Sequence, residues 1–313
     1  MMEFSHLPVM AKEAVRYLGL RPGGVYVDGT AGGGGHLLEI LKAEREAAVI
    51  GIDRDADALK AAAKAIEAEG CKDRVTLVKG NFRDIKQTLE RLGVKEVDGI
   101  LLDIGVSSFQ FDAPERGFSF RFDSRLDMRM DQTQGQSAYD LVNGLDKQEL
   151  ARIFKIYGEE RFAEKIAGAI VRVRETKPVE TTGELAEVAA GAVPKRFHEK
   201  GQHPATRIFQ ALRIAVNDEL EGLKQGLSGG YASLKSGGRL VVISFHSLED
   251  RIVKENFRYL ALDCVCPPRF PACVCGKKAG ARILTPRPVT AADDEIRANP
   301  RARSAKLRAM EKL

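Results

Sequence analysis

No apolar stretch of the chain approaches the roughly 20 residues that a bilayer crossing requires, so no membrane partner is expected. The first ten residues carry Glu3 and His6 and lack the apolar core of a secretion signal. The cytoplasm is therefore the expected compartment. Internal repeats and low-complexity linkers are also missing, which sets repeat architectures aside. Cysteine is scarce, five in 313 residues, and in a reducing compartment a disulfide framework is not expected. Net charge is only +5, too little by itself to indicate nucleic acid. A hydrophobic content of 44% is ordinary for a globular protein with a sizeable core. The length suits two domains, or one domain with a large insertion.

What the chain does have is a concentrated glycine turn, Asp28-Gly-Thr-Ala-Gly-Gly-Gly-Gly-His36. It follows the apolar run Val25–Val27 and precedes Leu37, Leu38, Ile40 and Leu41, a strand, a turn and a helix start. A second apolar run, from Ala47 to Ile52, ends at Asp53. Bare backbone lets a cofactor approach, and an acid about twenty residues on can accept ribose hydroxyls. An adenosine-bearing cofactor is implied. Asp28 at the loop entrance disfavours a pyrophosphate and favours S-adenosylmethionine, which is cationic at its sulfonium and amino groups. A nicotinamide dinucleotide is the competing reading, with a misfit where Leu37 stands in place of the last glycine of G-x-G-x-x-G.

Apolar runs then alternate with amphipathic segments. Strands are predicted at Val25–Gly29, Val49–Asp53, Val75–Lys79 and Val97–Ile104, with helices reaching Lys42 and over Ala56–Glu69 and Ile85–Leu92. A further helix is predicted from His6 to Leu18. Such alternation argues for an α/β domain whose parallel sheet is covered on both faces. The pattern breaks at Ser107, and Phe109 to Asp131 reads as loop. Helices are expected over Lys147–Tyr157, Glu160–Arg174, Leu185–Ala192 and Ala205–Leu220 before the strand Leu240–Ile243. The expected organisation is one α/β domain (1–108 and 215–313) interrupted by a helical insertion (109–214) for substrate recognition.

Ligands of open α/β sheets lie at the carboxyl ends of the strands. Asp103 ends the fourth strand, with Ser107, Ser108 and Gln110 soon after, and the third leads into Gly80-Asn81-Phe82. An acid there would face the transferred group, and Phe82 could lie against an adenine. His246, just before a capping-box-like Ser247-Leu-Glu-Asp250, either approaches substrate or packs at a strand end.

Two charge features admit two readings each. From Arg297 to Leu313 there are six basic residues and one acid, so the net charge of the whole chain resides there. This tail could follow phosphates or be a solvated terminus. Arg161, Lys165 and Arg172 would share one helix face as solvated charge or as an RNA contact. Cys264-Val-Cys266 and Cys273-Val-Cys275 could supply four thiolates to tetrahedral zinc, although CxxC is the commoner knuckle. No metal ligand is assigned.

These segments, together with Gly158-Glu-Glu-Arg-Phe162, His203-Pro-Ala-Thr-Arg-Ile-Phe-Gln-Ala-Leu-Arg213, Ser244-Phe-His-Ser-Leu-Glu-Asp-Arg251 and Asn299-Pro-Arg-Ala-Arg-Ser-Ala-Lys306, resemble the bacterial RsmH (MraW) family. That family consists of 16S rRNA cytosine-N4 methyltransferases. The resemblance runs from His6 nearly to the last residue. It implies a Rossmann-like class I S-adenosylmethionine-dependent methyltransferase and 16S rRNA or the small ribosomal subunit as partner. It implies donor contacts at Gly34, Gly35, His36, Asp53, Phe82, Asp103 and Gln110. Asp103 is the expected catalytic residue, although the prolines that many amino-methyltransferases carry after this strand are missing. An oxidoreductase, or an assembly factor that only senses the cofactor, are the alternatives.

Overall fold

A computed structural model of the chain describes residues 8–105, 113–198, 203–267 and 272–313. The chain divides into two compact units, residues 1–105 with 220–313, and residues 106–219.

The first unit is a doubly wound α/β layer. Its parallel strands are β1 (Val25–Asp28), β2 (Ala48–Asp53), β3 (Val75–Lys79), β4 (Val97–Asp103) and β5 (Leu234–Ser244). Connecting helices are α2 (Gly35–Ala43), α3 (Ala56–Ala68) and α4 (Ile85–Arg91), preceded by α1 (Ala11–Leu18). The parallel strands lie in the order β3-β2-β1-β4-β5. The chain thus winds outward in both directions from the β1/β4 pair, and a crevice opens at their carboxyl ends. Strands buried on both faces need apolar side chains at almost every position, and β4 (VDGILLD) supplies them: Val97, Ile100, Leu101 and Leu102 are fully buried. One core beneath the sheet gathers Leu37, Ile40, Leu41, Leu101, Val241 and Ile243. The other gathers Ile50, Ile52, Ile85, Ile100, Leu102 and Val242.

The second unit packs α5 (Ala138–Gly144), α6 (Lys147–Tyr157), α7 (Ala163–Arg174), α8 (Thr182–Ala192) and α9 (Thr206–Asn217) around one core that includes Leu150, Phe154, Ile166, Ile170, Leu185 and Ile208. Caps set several boundaries. Thr181 and Glu184 form a reciprocal capping box that starts α8 three residues before the expected helix. Asp218 adopts φ 48 and breaks the expected helix 205–220 into α9 and a new helix, α10 (Glu219–Ser233).

Three expectations are corrected. The basic segment from Arg297 is no free tail: after α12 (Asp293–Ala298), Lys306–Lys312 forms β8, antiparallel to β5 and flanked by β6 (Ala281–Ile283) and β7 (Val289–Thr290). Its Leu307, Ala309 and Met310 are fully buried, and Arg308 pairs with Asp250 at 2.6 Å. Arg161 and Phe162 precede α7, so the stripe Arg161–Lys165–Arg172 is not one helix face. The capping box at α11 (Ser247–Ala261) is made by His246 and Glu249, one residue earlier than Ser247 and Asp250. No helix among the described residues is long and apolar enough to cross a membrane.

Candidate active site

The glycine turn sits at the β1/β4 crevice, and hydrogen bonds fix its path. The Gly29 N–H donates to the Leu101 carbonyl at 2.9 Å, and Ala31 N–H to the Ile52 carbonyl at 3.0 Å. Gly34 closes the turn with N–H to the Ala31 carbonyl at 2.7 Å. It is the N-cap of α2 with φ 88, and a Cβ there would lie 3.4 Å from the backbone of Ala62. Only glycine takes this conformation without strain. No side chain among the described residues caps α2, so the amides of its first turn, from Gly35 and His36 onward, remain available to a ligand.

Three carboxylates converge on this turn from three strand ends. Asp53, closing β2, accepts from Gly32 N–H at 2.8 Å through Oδ2 and from Asp55 N–H at 2.9 Å through Oδ1. Each oxygen keeps a second lone pair. Burial pushes its carboxyl above the ordinary carboxylate range despite those amides. Asp28, closing β1, is fully buried and accepts through Oδ1 from Thr30 N–H at 3.1 Å. The Thr30 hydroxyl also approaches that oxygen, at 3.4 Å, and accepts the Asp103 N–H at 2.7 Å, which ties β1 to β4.

Asp103 closes β4, and its Oδ2 lies 3.6 Å from Nδ1 of His36. The other ring nitrogen, Nε2, lies 2.8 Å from the Val9 carbonyl. Burial, reinforced by the charge of Glu249, raises Asp103 to about 7. Burial raises Asp28 to about 6, His36 opposes the shift, and the Asp103 and Asp53 charges add to it. Asp28 Oδ2 and Asp103 Oδ1 are buried and accept no hydrogen bond among the described residues. Two acceptors with no partner among the described residues, beside the Asp53 carboxylate, make a site of negative potential that His36 offsets only in part. A cationic ligand would complete that offset, whereas a pyrophosphate would compound the repulsion.

Of the residues singled out in the sequence, Gly34, Gly35, His36, Asp53 and Asp103 therefore gather at one crevice. Phe82 follows β3, half-buried, with its ring against Gly226 of α10. Gln110 lies outside the described residues. His246 is held as the cap of α11: its Nε2 is 2.9 Å from Glu249 Oε1, and Glu249 N–H lies 3.4 Å from its Nδ1. Sequence reasoning passed over Thr30, although a threonine two residues after an aspartate is a recognisable turn signal. It also passed over Glu249, which acts through its charge from another element. Among the described residues of the first unit, concavities of about 160 Å³ beside Phe257 and Arg308 and about 260 Å³ beside Ile66 and Val75 open. Neither is lined by the strand-end acids.

A profile of the MraW methylase family matches residues 3–313. The chain is 56% identical over 314 residues to a protein of Trichlorobacter lovleyi named ribosomal RNA small subunit methyltransferase H, with all of both chains covered. Proteins of the same name from Pelobacter propionicus (56% identical, 99% of each chain) and Symbiobacterium thermophilum (52% identical, 100% of this chain and 98% of the relative) are similar along the same length.

Proposed function

The chain belongs to the MraW methylase family, and on that premise we propose that it methylates the exocyclic N4 of a cytidine in the decoding centre of 16S rRNA. It is an S-adenosylmethionine-dependent methyltransferase with the Rossmann-like fold of class I. The names of its full-length relatives support small-subunit rRNA as the substrate; the cytoplasm is the place of action we propose. The observation that carries the site assignment is the pair of buried acceptors beside the glycine turn, Asp28 Oδ2 and Asp103 Oδ1, that have no partner among the described residues.

When bound, S-adenosylmethionine supplies an electrophilic methyl carbon. The residues present suit that donor. The backbone of Gly34, Gly35 and His36 offers close approach and helix N-terminal amides, Asp53 has lone pairs for ribose hydroxyls, and the family resemblance adds Phe82 and Gln110 to the donor set. Asp28 and Asp103 provide negative charge where the donor is positive. Positioning then carries much of the rate, because the amine must attack in line.

A cytosine amine is a weak nucleophile, since its lone pair is delocalised into the ring. Oδ1 of Asp103, an acceptor without a partner among the described residues, can take an amine hydrogen bond and so favour a pyramidal nitrogen. With its carboxyl at about 7, Asp103 is also suited to accept the departing proton near neutrality. Methylation at carbon 5 would instead need a thiolate nucleophile. The cysteines lie after α3 (Cys71) and in the segment after α11, and none closes a strand.

Nucleoside analysis of 16S rRNA from cells with and without the gene tests the reading. One N4-methylated cytidine should vanish with the gene and return on incubating small subunits with enzyme and methyl-labelled donor. Label at carbon 5, or none in rRNA, would refute it.

A further inference from the structure

Between α11 and β6, residues 262–280 leave the sheet, and the described part of this segment has no apolar core of its own. Leu262, Val265 and Val274 are 45%, 46% and 73% exposed. Its neck is closed by Gly280 N–H to the Leu260 carbonyl at 2.9 Å, Lys277 Nζ to the Leu262 carbonyl at 2.7 Å, and Ala279 N–H to Asp263 Oδ1 at 3.2 Å. Hydrophobic burial does not hold the described residues beyond that neck. Something else must.

Four cysteines converge there. The sulfurs of Cys264, Cys266, Cys273 and Cys275 all lie within 4.8 Å of one another. Cys264 and Cys273 are 3.4 Å apart, Cys273 and Cys275 3.6 Å, and Cys275 and Cys264 3.8 Å. A zinc–sulfur bond of about 2.3 Å sets the edge of a tetrahedral tetrathiolate at about 3.8 Å. The three separations fall on or just inside that edge. They are well beyond the roughly 2.05 Å of a disulfide bond, and all five cysteines are free thiols.

The CxC spacing suits the arrangement. Residues i and i+2 of an extended segment point to one side, so each Cys-Val-Cys presents two thiols together. The backbone links the halves reciprocally. Val265 N–H donates to Cys275 Sγ and Val274 N–H to Cys266 Sγ, both at 3.4 Å, while Cys266 N–H donates to Cys264 Sγ at 3.3 Å. Amide donors onto sulfur stabilise thiolates and orient them, as outer-shell partners do around metal ligands.

We propose that Cys264, Cys266, Cys273 and Cys275 bind one zinc ion that holds the two Cys-Val-Cys stretches together. The site is structural: four thiolates fill the tetrahedron and leave no open position for substrate. On binding, four S–H bonds break and four Zn–S bonds form. Four protons pass to solvent, and no atom changes oxidation state. The centre then carries two negative charges.

The test is metal analysis of full-length protein purified with reductant and without chelator or metal-affinity resin. About one zinc per chain is expected, and the variant Cys273→Ser/Cys275→Ser should fall below about a tenth of that, while Cys71→Ser keeps it. Should the double variant not fold, a mercurial titration of the wild type serves: zinc should leave as four thiols react, read with a coloured chelator. Cobalt in place of zinc should give the absorption of a tetrahedral tetrathiolate. Less than a tenth of an equivalent of zinc in the wild type, iron in its place, or zinc release unlinked to thiol modification would each overturn the proposal.

Discussion

The His36 ring stands between two oxygens, the Val9 carbonyl at 2.8 Å from Nε2 and the Asp103 carboxylate at 3.6 Å from Nδ1. A carbonyl only accepts, so Nε2 carries a proton, and a neutral ring would then turn its Nδ1 lone pair toward Asp103. That contact is repulsive unless a proton resides on one partner or the other. A protonated Asp103 carboxyl relieves it, consistent with burial and the charge of Glu249 raising that carboxyl to about 7.

A raised carboxyl has a consequence for stability. Below about pH 4 Asp103 is protonated in both folded and unfolded chains. Between about 4 and 7 the folded state binds the extra proton, so stability falls as pH rises through that window. Above it, the cost of burying the charge is fully present, about 4 kcal/mol at 1.36 kcal/mol per unit. Asp103→Asn should therefore stabilise the donor-free protein by up to about 4 kcal/mol at pH 8 and by almost nothing at pH 4. Urea melts at the two pH values measure the difference. A gain that does not depend on pH would exclude the buried-charge explanation.

Donor binding should carry the reverse dependence. A cation beside Asp28, at about 6, and Asp103, at about 7, favours their ionised forms. S-adenosylmethionine affinity should weaken as pH falls below 7, by about tenfold per unit for each group that must lose its proton. Calorimetry near pH 6 in two buffers of different ionisation enthalpy should register protons released on binding. A pH-independent affinity with no proton release would remove both acids from the donor site.

Gly34→Ala probes the turn itself. The left-handed φ of 88 costs a non-glycine residue about 1–2 kcal/mol, while the new methyl would sit in ordinary contact with Ala62. Where the free loop relaxes out of that strain, binding must restore it, and about 1.4 kcal/mol then drops donor affinity on the order of tenfold. Asp53→Ala should weaken the donor further, because it removes the ribose acceptor together with the anchor of the Gly32 amide. Calorimetric affinity of the wild type for either variant would contradict this placement.

The terminal strand yields a stability prediction. Although burial pushes it up, Arg308 and Lys306 hold the Asp250 carboxyl below its usual range. Arg308 is 7% exposed and binds Asp250 at 2.6 and 3.3 Å. Removing one partner of a buried pair typically costs about 3–5 kcal/mol, whereas an apolar residue of similar length recovers much of it. Arg308→Ala should lower the urea midpoint sharply, and Arg308→Met much less. Equal, small losses would mean the pair is a surface contact.

That strand also shows what the sequence concealed. The first four strands, their helices and the acids at their ends were legible, because buried parallel strands are continuous apolar runs and functional acids follow them. Lys306–Lys312 was not legible as a strand, because three of its seven positions are cationic and the partner that neutralises Arg308 lies on a distant helix. Helix α10 hid for a different reason. Its glycines 222, 226, 229 and 230 argue against a helix by propensity, yet 222, 226 and 229 are where Arg83, Phe82 and Ile85 press closest. Close packing overrode local preference. The Asp103–Glu249 influence joins elements nearly 150 residues apart, which no local pattern reports.

The helical unit supplies the last prediction. Arg161 lies over the rings of Phe162 and Phe197, at 4.7 and 4.2 Å from their centroids, and Arg196 lies over Phe197 at 4.9 Å. Phe197 is 36% exposed, so the cluster presents two guanidinium groups on an aromatic base, chemistry suited to phosphates and stacked nucleobases. If it contacts rRNA, Arg161→Ala/Arg196→Ala should weaken RNA binding and reduce the salt slope by nearly two, one unit for each lost phosphate contact. Donor affinity should stay at the wild-type value, because neither arginine is part of the strand-end site. Filter binding across a range of salt concentrations measures the slope, and one identical to that of the wild type would assign the cluster to folding of the helical unit alone.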